Sequence, residues 1–116
     1  MTPTPANRFA AGLATLLLVE GAWGMTSPVV FGVFSTNPLH ATIHLAFGAW
    51  GLVSALRDRA RLFLLAVGAV LLLVGALFFL PQGHVLTTRL AVNRAVAVLN
   101  IVLGAGALFF ARGRRT

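Results

Sequence analysis

Leu62 to Leu80 reads LFLLAVGAVLLLVGALFFL, a run without one polar side chain. It matches the ~20 residues that carry an α-helix across a ~30 Å hydrocarbon core. Its ends are marked as those of a span would be, by Arg57-Asp58-Arg59-Ala60-Arg61 before it and Pro81-Gln82-Gly83 after it. Reading outward, three more apolar stretches follow the same pattern, at about residues 9–25, 39–56 and 86–111. Pro28 and Ser35-Thr36-Asn37-Pro38 divide the first pair. The pattern predicts an all-α protein: one integral domain over residues 1–116, built as a four-transmembrane-helix bundle with the lipid bilayer as its first partner.

Composition supports this class and excludes others. The 116 residues are 59% hydrophobic and 9% charged, with a mean hydropathy of +0.94. Soluble domains carry about a quarter charged residues, and so small a globule has too little interior to hide this much apolar surface. Disorder needs the opposite composition. All nine basic residues are arginine, against two acidic ones, for a net charge of +7. They flank the apolar runs instead of forming a solvated basic patch, so nucleic acid is not an expected partner. The absence of cysteine removes disulfides, thiolate nucleophiles and thiolate metal sites.

Topology follows from the arginines. The N-terminus could be read as a signal peptide charged at Arg8, but signal cores run about 7–15 apolar residues before small residues. This stretch is longer and has Glu20, Trp23 and Met25 where small residues belong, so it is expected to stay as the first helix. With both termini cytoplasmic, the inside holds Arg8, Arg57, Arg59, Arg61, Arg112, Arg114 and Arg115. Only Arg89 lies outside, with Arg94 within the fourth span. The positive-inside rule selects this orientation.

An internal duplication is expected from a 56-residue offset. It aligns Gly12 with Gly68, Leu16-Leu17 with Leu72-Leu73, Asn37 with Asn93, His44 with Asn100, Gly48 with Gly104 and Leu52 with Leu108. Matches among Leu and Gly are cheap in an apolar chain, so the Asn37/Asn93 and Gly48/Gly104 pairs carry the argument. Two helix pairs would then be parallel repeats about an axis along the membrane normal. Asn37 suits a helix cap and Pro38 the first helical position. Gly48, Gly51, Gly104 and Gly106 permit close helix approach. Trp23 suits the outer aromatic belt, and Trp50 packs inside or against lipid.

Polar residues within spans are costly and turn inward or toward a partner. Glu20, His44, Arg94 and Asn93 are expected near one level toward the outer leaflet, His44 roughly 9 Å below the helix end and Asn100 deeper. One reading pairs Glu20 with Arg94 and lets His44 and Asn100 hydrogen-bond between helices. The other makes the layer a site for a proton, a quinone-like headgroup or another small ligand. His40 and His44 share a helix face, but zinc would need a third ligand, which only His84 offers, and no metal is expected. On the bland reading His40 is interfacial. No resident cofactor is expected; a haem or pigment contact through His44 is the alternative.

Phe31 to Leu45, FGVFSTNPLHATIHL, with Gly48 and Gly51-Leu52 after it, resembles a bacterial family catalogued as a domain of unknown function. Its members are small four-helix integral membrane proteins with a Phe-Gly loop, Asn-Pro-Leu-His-Asn, and a second His four residues after the first. The resemblance implies the fold and a bacterial cytoplasmic membrane location, and no activity. Ala41 departs from the pattern, as do Val96, Ala97 and Asn100 where the family commonly carries Asp-Asn-x-x-His.

No nucleophile–base pair, phosphate loop, carboxylate pair or metal cluster is legible, so catalysis is not expected. The expected role is a non-enzymatic structural or accessory subunit, alongside other membrane subunits or as a homo-oligomer. The alternatives are an oligomeric channel or transporter and a binding protein for quinone, haem or pigment.

Overall fold

Thr4 and Pro5 start the first helix, in a computed structural model that describes residues 4–113. The Thr4 hydroxyl accepts from the Asn7 amide at 3.1 Å, and Pro5 needs no donor partner at the first position. This helix, α1 (Pro5–Gly24), is followed by a connection that holds a two-stranded antiparallel ribbon, β1 (Val29–Val30) with β2 (Phe34–Ser35). The turn works because Phe31 and Gly32 take positive φ, 55° and 72°, as a tight hairpin turn demands. Helices α2 (Pro38–Leu56) and α3 (Ala60–Phe78) come next. A 3₁₀ turn (Pro81–Gly83), a short helix α4 (His84–Arg89) and α5 (Arg94–Gly113) complete the chain.

The chain is therefore helical apart from the ribbon, and α2, α3 and α5 are long and apolar enough to cross a membrane. The fourth stretch differs from the expected continuous span over 86–111. Its first part is α4, which ends in a Schellman arrangement. Ala91 takes φ 56°, its amide donates to the Thr88 carbonyl, and the Val92 amide donates to the Thr87 carbonyl at 2.9 Å. Asn93 then caps α5, its side-chain oxygen accepting from the Val96 amide at 2.9 Å. Arg94 consequently opens α5 and is exposed, where a place seven or eight residues inside a helix was expected. Of the expected cytoplasmic arginines, Arg114 and Arg115 lie outside the described residues.

The helices run up and down in turn. α1 lies antiparallel on α2, and α3 lies antiparallel on α5. Small residues set both contacts, since close backbone approach is what binds helices where solvent gives no hydrophobic drive. Gly48 of α2 faces Leu18 and the Ala14 carbonyl, while Gly104 of α5 faces Leu72 and the Gly68 carbonyl. Gly21 faces Leu45 and the Ala41 carbonyl; Gly75 faces Ile101 and the Ala97 carbonyl. These contacts match one for one with α2 and α5 offset by 56 residues but α1 and α3 by 54. The second connection is thus two residues longer. The alignments of Gly12 with Gly68 and of Leu16-Leu17 with Leu72-Leu73 fall away: space is open around Gly12, while Gly68 abuts Ala107.

The core sits toward the arginine-bearing end. Ala6, Ala10, Leu13 and Leu17 of α1 meet Phe63, Leu64 and Val67 of α3, with Ala107 and Ala111 of α5. Trp50 is part-exposed, its edge against Phe63 at 5.5 Å. At that end Asn7 donates to the Asp58 carboxylate, tying the start of α1 to the α2–α3 turn. Asp58 has positive φ and closes α2 in a second Schellman arrangement, with the Arg59 amide on the Ser54 carbonyl at 2.8 Å.

At the opposite end the two connections hold each other. The Asn37 amide donates to the Arg89 carbonyl at 2.7 Å, and the Asn93 amide donates to the Val33 carbonyl at 2.9 Å. In each case an asparagine reaches the residue four positions before its counterpart. The Ser35 hydroxyl adds a bond to the Ala91 carbonyl. Beneath this clasp lies the polar cluster.

Candidate functional site

Glu20 enters the site from the last turns of α1, and His40 and His44 from the first turns of α2. The Asn37–Pro38 start fixes where the histidines fall. The Asn37 side-chain oxygen accepts from the His40 amide at 2.9 Å, so the helix begins one turn above the pair. Asn100 comes across from α5. All four side chains are buried.

Glu20 Oε1 lies 3.4 Å from His44 Nδ1, and the His40 and His44 rings meet edge to face with centroids 4.3 Å apart. The expected partner of Glu20 was Arg94. Among the described residues Glu20 makes its one charge contact with His44, because the Asn93 cap starts α5 at Arg94 and leaves that guanidinium at the surface. His40, expected at an interface, is 4% exposed, and its Nδ1 has no hydrogen-bond partner. Asn93 proves to be a cap and a clasp. His84 starts α4 at the surface and joins neither histidine as a metal ligand; among the described residues no three His, Cys, Asp or Glu groups gather to hold a metal.

Two spaces adjoin the cluster. A cavity of about 10 Å³ lies between Glu20, His40, His44, Asn100 and the ribbon, with Val30 and Thr36 at its roof. That is room for about one water. On the other side a groove of about 470 Å³ runs between α2, α3 and α4. Its walls are apolar, among them Ile43, Phe47, Val70 and Val74, and His40, His44 and Asn100 complete its lining. Sequence reasoning missed the roof residues, since nothing in Val29–Ser35 announced a ribbon folded over the helix ends.

The chemistry available is narrow. Glu20 and His44 can share one proton, which gives a net-neutral pair either as acid and imidazole or as carboxylate and imidazolium. Among the described residues, no arginine lines either cavity. The nearby hydroxyls are engaged, Ser35 on the Ala91 carbonyl and Thr36 on the Asn37 carbonyl at 3.4 Å.

The matched positions show how one site arises from two similar hairpins. His40 and His44 correspond to Val96 and Asn100, and Glu20 to Val74. The acid and both histidines therefore belong to the first hairpin alone.

No curated protein and no solved structure shows a significant match to the chain. A family model does, over residues 9–112, which takes in the ribbon, the clasp and every residue of the polar cluster. The chain belongs to the family defined by that model, the domain of unknown function DUF4383.

Proposed function

We propose that this protein is a four-span, non-enzymatic component of the bacterial cytoplasmic membrane, acting as an accessory subunit of a larger membrane assembly. The fourth span is α1. Its 20 residues give about 30 Å of helix, enough for the hydrocarbon core, and it runs the length of α2. Both termini lie in the cytoplasm and the clasp faces out, in keeping with Arg8, Arg57, Arg59, Arg61 and Arg112 gathering at one end. The two hairpins are a duplication, supported by the matching glycine contacts.

The observation that carries the role is the apolar plug from Ala6 to Leu17 against Phe63, Leu64 and Val67. It separates the polar cluster from the arginine end, so a single chain offers no polar path across the bilayer. A channel formed by one chain is disfavoured by the same plug.

The native chain has no cysteine, so single-cysteine variants report topology directly. Val33→Cys and Gln82→Cys should react with an impermeant maleimide in intact cells, and Arg57→Cys only after permeabilisation. The reverse labelling would overturn the orientation. Purification in mild detergent followed by native mass spectrometry tests the role: a stoichiometric membrane partner is expected, and a bare monomer or a homo-oligomer alone would sink the accessory reading.

A further inference from the structure

The groove between α2, α3 and α4 is more than a lipid-facing furrow, because His40, His44 and Asn100 are in its lining. We infer that it binds a membrane quinone, the tail along Phe47, Val70 and Val74 and the ring at His40, His44 and Asn100. The volume of about 470 Å³ falls in the range of small-molecule sites, roughly 300–1,000 Å³, and the lining is apolar apart from three polar residues.

The headgroup is chosen by what these three residues offer. His40 is buried, and its Nδ1 has no partner, an arrangement that costs free energy unless a ligand or water completes it. Asn100, also in the lining, carries both a donor and an acceptor. Among the described residues no arginine lines the groove, so a phosphate headgroup would bury its charge uncompensated. An uncharged ring with oxygens that accept hydrogen bonds as quinone and donate them as quinol fits both histidine tautomers. The inference concerns binding alone. It rests on the four-span reading, which opens the groove to the acyl chains, but its test does not use topology.

The test is titration of the purified chain in detergent micelles with decylubiquinone, followed by quenching of tryptophan fluorescence. Trp50 lies on α2, a turn from Phe47 in the groove wall. Saturable one-to-one binding is expected. Ala46 is exposed and lines the groove, so Ala46→Trp fills it without entering the core and should abolish saturation. Since Ala46→Trp and the control Val98→Trp each add a fluorophore, their binding is read by equilibrium dialysis. His40→Leu removes the unpartnered nitrogen and should weaken binding about tenfold. Val98→Trp, on the lipid-facing side of α5, should leave it unchanged. Unsaturable partition that is equal in all four proteins overturns the inference. So does a tightly co-purifying phospholipid that decylubiquinone cannot displace. The labelling pattern above stands or falls separately from either outcome.

Discussion

Removing Glu20 and His44 separately and together measures whether they act as a pair. Glu20→Met and His44→Leu each leave a buried polar partner facing an apolar side chain, a loss of about 1–3 kcal/mol. The contact is long, 3.4 Å from Oε1 to Nδ1, and it lies toward the clasp end of the α1–α2 pair. Interhelical polar contacts in membranes average about 0.6 kcal/mol of coupling with a maximum near 1.7. A value of about 0.6–1 kcal/mol is therefore expected: the double variant should be less destabilised than the sum of the singles by that amount. The same cycle on Glu20 and Arg94, with Arg94→Met, should give coupling within about 0.3–0.5 kcal/mol of zero, the additivity found for separated sites. Equilibrium unfolding in mixed micelles, followed by circular dichroism, supplies all the values. A Glu20–His44 coupling indistinguishable from zero, or a Glu20–Arg94 coupling near 1 kcal/mol, would refute the assignment of the acid to the histidine.

Three further outcomes are expected under the same assay. Asn37→Ala and Asn93→Ala each remove a cap and one arm of the clasp, and each should cost about 1–2 kcal/mol. Asn37→Ser, which keeps the cap and loses the arm, should cost about half that. Gly104→Ala places a methyl 2.7 Å from the Gly68 carbonyl oxygen and should destabilise by about 1–3 kcal/mol, whereas Gly12→Ala meets nothing and should leave stability level or slightly raised. Ala91→Gly relieves a left-handed alanine and should raise stability by about 1 kcal/mol; a loss instead would mean that the Schellman end of α4 is wrongly described.

Much of this architecture is readable from the residues. The uninterrupted run over 62–80 identifies α3 within two residues at each end, and Asn37-Pro38 marks the start of α2. Where reading fails, the cause is local. Asn93 carries the same capping signal as Asn37, but Arg94 stands where proline would have advertised the break, and Leu86, Leu90 and Val92 keep the hydropathy continuous. The 56-residue offset already held the answer, since it sets Arg94 on Pro38. Once the fourth span is drawn too long, Arg94 sinks to the depth of His44 on paper and becomes the obvious partner for Glu20. His44 is not legible as the partner, because spacing within one chain says nothing about which faces of α1 and α2 meet. That is decided by Gly21 and Gly48, whose missing side chains set the approach. The ribbon was invisible for another reason: two residues per strand are too few to show alternation.

The reciprocal bonds of Asn37 and Asn93 give the fold a near-twofold element. Each hairpin gives one amide and receives one, so the clasp is self-complementary: a lone hairpin would present to a second copy of itself what it presents here to its neighbour. The polar centre breaks that symmetry: where the first hairpin has Glu20, His40 and His44 the second has Val74, Val96 and Asn100, so one centre remains, with a distinct front and back.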